Sequence, residues 1–251
     1  MDEATLRARL GAAAGAYARL RVVPHTGSTN ADLLAEEGAP DRSALIARHQ
    51  TAGRGRLNRR WESAPDKQLA LSVLYRLGIR LVDRMGLLPL AVGLAVVDVV
   101  PQAELKWPND VLIGGRKLCG ILVEAADLST RPRVVVGCGV NLALDREELP
   151  VAHATSLALE GIDHDPVRVA AGLLEALENR VQQWTCGAPT LLKDYRERCA
   201  TLGQEVRLER WGDIVEGRAV DVSATGSLLV DTPGGREEFS AGDVTHLRPA
   251  T

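Results

Sequence analysis

The chain has 251 residues, with 33 acidic and 30 basic side chains for a formal net charge of −3, and is 45% apolar and 25% charged. That balance excludes global electrostatic binding to nucleic acid or to a membrane surface, and no apolar run approaches the roughly 20 residues that span a bilayer. The opening MDEATLRARL is charged throughout and lacks the apolar centre of a signal peptide, so a soluble, cytoplasmic protein is expected.

Residues 4–20, rich in Ala, Leu and Arg, have helical propensity, and a short strand follows at 21–25. Ser28 caps a helix running to about Glu37, before Gly38. SALIARHQ (43–50) reads as a strand, the Gly/Arg-rich stretch 51–61 as loop, and LALSVLYRL (69–77) as a second strand. MGLLPLAVGLAVVDVV (85–100) has the length and spacing of a buried helix. ELKW, VLI, a Gly114-Gly115 hairpin turn and KLCGILVEA follow, then RVVVGCGVNL (133–142), a β-branched strand buried by its lack of alternation. Two helices occupy 165–200, the second after Pro189. From Gly203 the texture changes to short strands divided by Gly and Pro, with tight turns at Thr225-Gly226 and Gly234-Gly235. This suits a small barrel of the SH3 type, with Phe239 and Trp211 as its aromatic core.

Lys67, Lys106, Lys117 and Lys193 are the only lysines against 26 arginines, so a surviving ammonium is informative where other signals converge. Cys119, Cys138, Cys186 and Cys199 show no C-x-x-C spacing, and the five histidines form no ligand motif, which argues against a dedicated metal cage.

Four clusters could carry chemistry. The first runs from Gln50 through Gly53, Arg54, Gly55, Arg56, Asn58 and Arg59 to Trp61. Between Asp41 and Glu62 there is no acid and there are six arginines, a pattern for phosphate or carboxylate oxygens or for a plain solvated basic loop. It fails as a dinucleotide fingerprint, because Asn58 holds the third glycine position, and no P-loop exists. The second is Lys106-Trp107-Pro108-Asn109-Asp110, which is also a good hairpin corner. The third, Lys117 to Leu122, sends a lysine into an apolar strand with Gly120 leaving room beside it. The fourth is Gly137-Cys138-Gly139-Val140-Asn141.

In this order, and with Ser28-Thr29-Asn30 before them, the clusters resemble the biotin protein ligases: S-T-N, a G-R-G-R-x-[GN]-R loop ending near Trp, K-W-P-N-D, K-L-x-G-I-L and G-x-G-x-N. The resemblance runs from about residue 21 to the end, with Asn58, Cys119 and Cys138 as slight departures. It implies an α+β fold: a mixed sheet with flanking helices over 1–200, of the class II synthetase-like biotin/lipoate ligase type, and an SH3-like C-terminal β-barrel over 203–251. It also implies ATP-dependent formation of biotinyl-5′-AMP, with Mg2+, and transfer of biotin to one lysine of a biotin carboxyl carrier domain.

Carried over residue by residue, Lys117, Arg54 and Arg56 supply the catalytic charge, and Lys117 meets both the biotin carbonyl oxygen and the α-phosphate. Ser28, Thr29, Asn30 and Gln50 line the ureido end, with Gly53, Arg54, Gly55, Arg56, Lys117 and Gly120 completing the biotin site. Arg56 and Arg59 hold phosphates, Trp61 stacks on adenine, Asn109 and Asn141 read its polar edge, and Lys106 joins the nucleotide site. Ser28 as a bare helix cap and Trp61 as a core residue stay open, as does the choice for Asp110 between orienting Lys106 and meeting magnesium.

A lipoate or octanoyl transferase would share the fold but lacks the G-R-G-R and K-W-P-N-D pairing. A ligase–repressor needs a DNA-binding module that 20 leading residues cannot supply, and a non-catalytic binding module would not need Lys117 beside an arginine loop. The C-terminal unit is expected to steady the active site or to position the carrier. No DNA or membrane partner is expected, and weak homodimerisation is left open.

Overall fold

The structure, a computed structural model, describes residues 1–62, 64–210 and 213–247; Trp211, expected in the small core, lies outside them. A seven-stranded mixed sheet carries the first four-fifths of the chain. Its strands are β1 (Arg19–Val23), β2 (Ser43–Ala47), β3 (Gln68–Arg76), β4 (Glu104–Lys106), β5 (Asp110–Ile113), β6 (Arg116–Ala126) and β7 (Arg133–Asn141). The order across the sheet is β1-β2-β3-β7-β6-β5-β4. Only β1 and β2 run parallel; every other pair is antiparallel.

One face of the sheet is sealed by α3 (Leu88–Val99) and α4 (Pro166–Cys186), with α1 (Glu3–Leu10) on α4 and α5 (Thr190–Arg198) beside them. Helix α3 buries side chains all round because it lies between the sheet and α4. Gly93 lets it close on Leu105 and Ile121, where a Cβ would lie 2.9 Å from the Leu105 side chain. Over the other face, α2 (Thr29–Ala35) covers one end only, burying Leu33 against Leu45, Leu74 and Val135. The rest of that face is open to a cavity.

Several elements are shorter than the sequence suggests. The first helix stops at Leu10, because Gly11 takes a positive φ of 55° and the small residues 11–16 form a 3-10 turn. The next strand, Arg19–Val23, has the expected length but begins two residues earlier, and the 43–50 strand ends at Ala47, after which Gln50 makes one isolated bridge to Thr26. The apolar helix starts at Leu88, with 79–87 in 3-10 turns.

The C-terminal sheet has five antiparallel strands: β8 (Glu205–Arg210), β9 (Asp213–Val222), β10 (Leu228–Thr232), β11 (Gly235–Phe239) and β12 (Asp243–His246). Their order, β11-β10-β9-β8-β12, is consistent with an SH3-like arrangement. The sheet docks on the first unit through Arg196–Asp221, at 2.6 Å, and through Trp107, which is 1% exposed. The Trp107 indole N–H donates to Gly226 O at 2.9 Å and its backbone N–H to Thr201 Oγ1 at 3.0 Å. Thr201 Oγ1 in turn lies 3.0 Å from His246 Nε2 on β12.

Candidate active site

Cross-strand pairing sets Ala47, Ala70, Gly139, Gly120, Asp110 and Lys106 in one line across β2, β3, β7, β6, β5 and β4. The middle of this line is made of small residues and one end is charged. The small residues form a floor, and the Trp61 ring lies on it: a Cβ on Gly120 would come within 2.7 Å of the ring, and one on Gly139 within 2.5 Å. The next line, Leu45, Ser72, Gly137 and Leu122, sits under α2, and at Gly137 a Cβ would collide with the Asn30 side chain. The two glycines of G-x-G-x-N thus leave room for Asn30 and Trp61, one each.

Lys117 reaches this face because of an irregularity. In an undisturbed strand, Lys117 and Gly120 would point to opposite faces. The register of β5 on β6 shifts between Val111 and Leu112, pairing Val111 with Cys119 but Leu112 with Lys117. The extra residue turns the lysine to the Gly120 side. Its Nζ stands 2.6 Å from Asp110 Oδ1 and 5.8 Å from the centroid of the Trp61 ring.

At the α2 end a buried chain of polar groups crosses the pocket. The Thr29 N–H and Oγ1 contact Gln50 Oε1 at 2.8 and 3.0 Å, and Thr29 Oγ1 lies 2.6 Å from Ser72 Oγ. Ser72 Oγ lies 2.6 Å from Asn30 Oδ1, and Asn30 Nδ2 donates to Leu122 O and to Glu124 Oε2, at 3.2 and 2.9 Å. Ser28 is the N-cap of α2, accepting from the Ala31 N–H, and also faces the cavity.

The cavity over this floor measures about 490 Å³, within the usual range for small-ligand sites. Its walls carry Arg54, Arg56, Arg59, Arg60, Lys106 and Lys117 against Glu62, Asp110, Glu209 and Asp243. Burial lowers the Arg56 pKa, with Asp110 opposing and Arg59 adding to the shift. Burial likewise lowers that of Lys106, against the pull of Asp110 and with repulsion from Lys117 and Arg59. Cations crowded at partly dehydrated positions gain from an incoming anion, which replaces lost solvation and relieves their repulsion. The thiols next to the site are not reactive groups: burial pushes Cys138 up to about 12 and raises Cys119 well above its ordinary value.

The Gly/Arg stretch folds back on itself. The Gly55 N–H donates to Arg59 O at 2.7 Å and the Trp61 N–H to Gly53 O at 2.9 Å, while Arg56–Asn58 makes one 3-10 turn with Leu57 at φ 53°. Gly53 is required by this closure, since a Cβ would meet Trp61 O at 2.6 Å. The arginines have separate anchors. Arg54 pairs with Glu124 at 3.2 Å, Arg56 donates to Asn109 Oδ1 at 3.0 Å and to Gly242 O at 3.4 Å, and Arg59 pairs with Asp243. Two of these contacts are with the C-terminal sheet, which supplies Glu209, Asp243, Val244 and Thr245 to the cavity wall.

The cavity brings together Ser28, Thr29, Asn30, Gln50, Arg54, Gly55, Arg56, Arg59, Trp61, Lys106, Asn109, Lys117, Gly120 and Asn141, while Gly53 supports Trp61 from outside its lining. Some side chains are engaged differently from the sequence reading. Asp110 pairs with Lys117 rather than with Lys106. Asn141 is 1% exposed and accepts from Gln68 while donating to Thr155 O, both at 2.8 Å, so its amide frames the pocket. Asn109 donates to Ile121 O at 2.9 Å and accepts from Arg56. The Trp61 ring packs on the floor, with its buried indole N–H unpartnered among the described residues. Sequence reasoning missed Ser72, Glu124 and the wall at 150–154, whose His153 O accepts the Lys117 N–H, while the N–H of Thr155, next in the chain, donates to Lys117 O. For Ser72 a signal existed: it is the one hydroxyl inside the apolar run LALSVL.

Residues 20–141 match the Biotin/lipoate A/B protein ligase family and residues 201–247 the Biotin protein ligase C terminal domain. The chain is 46% identical over 264 aligned positions to the biotin–[acetyl-CoA-carboxylase] ligase of Mycobacterium tuberculosis, covering 99% of this chain and 96% of that protein. The bifunctional ligase/repressor BirA of Bacillus spizizenii is 31% identical over 84% of this chain and 68% of its own length. A biotin protein ligase from Aquifex aeolicus, solved in complex with biotin and ATP, has the same fold at a TM-score of 0.79 and 27% identity, covering 92% of this chain and 100% of that one. With the motifs gathered on one cavity and both sheets matched, the chain belongs to the biotin protein ligase family.

Proposed function

We propose that the chain activates biotin with ATP to biotinyl-5′-AMP and then passes the biotinyl group to a lysine of a biotin carboxyl carrier domain. The observation that carries this reading is one cavity with a polar, hydroxyl- and amide-lined end at α2 and a cationic end at Lys117, Lys106 and the arginine loop. A neutral ureido ring suits the first end, and a carboxylate approaching a triphosphate suits the second.

In the first step a biotin carboxylate oxygen attacks the α-phosphorus and pyrophosphate leaves. The barrier is electrostatic, because two anions must meet, and preformed cations lower it most effectively in a dehydrated site. Lys117, held by Asp110, supplies a point charge between the two reacting groups; Arg54, Arg56 and Arg59 take the phosphate oxygens. In the second step the carrier amine attacks the biotinyl carbonyl and AMP leaves. The loop over the site keeps water from the mixed anhydride.

Magnesium enters as the counter-ion of ATP, as part of the substrate. Among the described residues no group of three or more His, Cys, Asp or Glu side chains converges to cage it. Magnesium takes phosphate oxygens and water readily, with one or two carboxylates at most.

Among the described residues no helix is long and apolar enough to cross a membrane, and the four cysteines are free thiols, which suits the reducing cytoplasm. Incubation with biotin, Mg·ATP and a carrier domain tests the reading: pyrophosphate release and carrier labelling are both expected. Release stops on chelation of magnesium while the melting temperature stays unchanged. A folded protein that releases no pyrophosphate overturns it.

A further inference from the structure

Lys67 and the cavity wall at 150–154 belong to one construction. The chain leaves β7 at Asn141 and returns beside it: the Leu157 N–H donates to Asn141 O at 3.0 Å and the Ala158 N–H to Leu142 O at 2.9 Å. Between these ties, residues 143–156 form a closed surface loop. Its return limb is bound to the cationic end of the cavity, where Lys117 holds His153 and Thr155 by backbone bonds and where Pro150, Val151, His153 and Ala154 form the wall. Its outgoing limb is bound to Lys67. Lys67 O accepts the N–H groups of Leu142 and Ala143, at 3.0 and 2.9 Å. The Lys67 ammonium stands 2.6 Å from each carboxylate oxygen of Glu148 and 3.2 Å from Asp145 Oδ2. Asp145 and Glu148 are themselves joined as a capping box around the 3-10 turn at Arg146–Glu148. The lysine therefore grips both ends of one turn. Among the described residues, no other hydrogen bond or ion pair from outside the loop reaches residues 145–152. Lys67 itself is outside the residues that line the cavity.

We propose that Lys67 is a positioning residue for the nucleotide, holding the 143–156 loop in place so that 150–154 walls the cationic end of the cavity. The inference rests on the ligase reading above and adds to it a residue from outside the cavity. The loop adjoins Lys117, where the carboxylate and the α-phosphate meet in that reading. The polar end at α2 lies elsewhere in the cavity, and its chain of Asn30, Ser72, Thr29 and Gln50 shares no listed bond partner with the loop. Loosening the loop therefore weakens the hold on ATP and leaves the seat of the biotin ring as it is. The ammonium and both carboxylates are each at least a third exposed, so their pairing adds little to global stability. Its effect falls on the placing of the loop, which has no other outside tie over 145–152.

The test uses the full chain and the variants Lys67→Met, Lys67→Arg and Glu148→Gln. Lys67→Met is expected to raise KM for ATP in pyrophosphate release about fivefold, near the ceiling for an exposed ion pair. Its affinity for biotin alone, by calorimetry, and its melting temperature should stay close to those of the parent. Lys67→Arg keeps the pairing and should have a KM for ATP within about twofold of the parent. Glu148→Gln keeps an acceptor for the Asp145 N–H but loses the charge, and should move the same parameter in the same direction. Combined with Lys67→Met it should be no worse than the worse single variant, because both break one tie. Amide hydrogen exchange reads the loop without turnover: residues 145–152 should exchange faster in Lys67→Met, and the rest of the chain as in the parent. An unchanged KM for ATP in Lys67→Met, an equal loss of biotin affinity, or unchanged exchange over 145–152 overturns the proposal. So does a Lys67→Arg as impaired as Lys67→Met. A Lys67→Met protein that does not fold overturns it too, since the role would then be structural. A parent protein that releases no pyrophosphate at all refutes the ligase reading instead, while the exchange measurement still reads the tie, so the two failures are distinct.

Discussion

Lys117 and Asp110 meet at 2.6 Å, with about three-quarters of each side chain covered, although neither strand would put them together in regular register. The bulge in β6 brings the ammonium over to the Gly120 face, and Asp110, opposite Gly120, receives it there. Each residue thereby fixes the other at the cationic end of the cavity. Lys117→Ala is expected to cut pyrophosphate release by about 10²–10³, the range for removing one preorganised donor, with a melting temperature near that of the parent. Lys117→Arg should also be poor, since a planar fork cannot sit where a point charge is gripped between a carboxylate and an indole. Asp110→Asn keeps the lysine but frees it, and a smaller loss, about tenfold, is expected.

Asp243 holds Arg59 from the C-terminal sheet. The arginine is largely exposed, so the pair adds little to overall stability, about 0.2–1 kcal/mol. Its effect should be on the loop. In Asp243→Ala, limited proteolysis at the arginines of 51–61 should speed up without ligand, and biotin plus ATP should slow cleavage in both proteins to a similar rate. Equal cleavage of parent and variant in the absence of ligand would show that the loop is held by its own backbone bonds alone.

How much of this was legible in the sequence depends on the range of the interaction. The floor could be read because Gly120, Gly139 and Asn141 lie in short strand motifs whose spacing is local, and the cap at Ser28 is local too. The partner of Asp110 could not be read, because a strand bulge follows from three-dimensional pairing and leaves no single-residue signature. The anchors of the loop could not be read because they are distant: Glu124, Asn109 and the Gly242-Asp243 pair come from three other places in the chain. Helix ends were misjudged where a run of alanines carried the propensity past Gly11.

Trp107 stands in the middle of K-W-P-N-D, yet its indole N–H is satisfied by Gly226 O, 119 residues away. Trp107→Phe should leave that buried carbonyl without its donor, at about 1–3 kcal/mol. For a chain of this size each kcal/mol lowers the melting temperature by about 2–4 °C. Trp107→Ala should cost more, about 3–5 kcal/mol, by opening a cavity between the two sheets. Calorimetry on the full chain measures both. A Phe variant that melts with the parent would mean the inter-sheet bond is replaced by solvent.

His246 gives the junction between the sheets a pH dependence. Burial lowers its pKa from 6.5, and nearby Lys106 adds to the shift. The folded protein therefore binds this proton less readily than the unfolded chain. Stability from this group is complete above pH 6.5 and declines as pH falls through 6.5 toward the lower folded value, below which the loss is constant. Melts of the parent and of His246→Gln from pH 5 to 8 should show a difference that favours the parent most at the alkaline end. A difference independent of pH would remove His246 from the account.

The glycine floor also decides where this pocket can be remodelled. Gly139 and Gly120 form a surface already in contact with an indole, and a carbon added at either pushes into the Trp61 ring. A ligase meant to accept a bulkier, label-carrying biotin analogue therefore cannot gain space from below. The segment 150–154 has a different construction: Pro150, Val151, His153 and Ala154 line the cavity from outside the sheet, and Val151 is partly open to solvent. Shortening side chains there widens the pocket from its rim while the sheet and its register stay as they are.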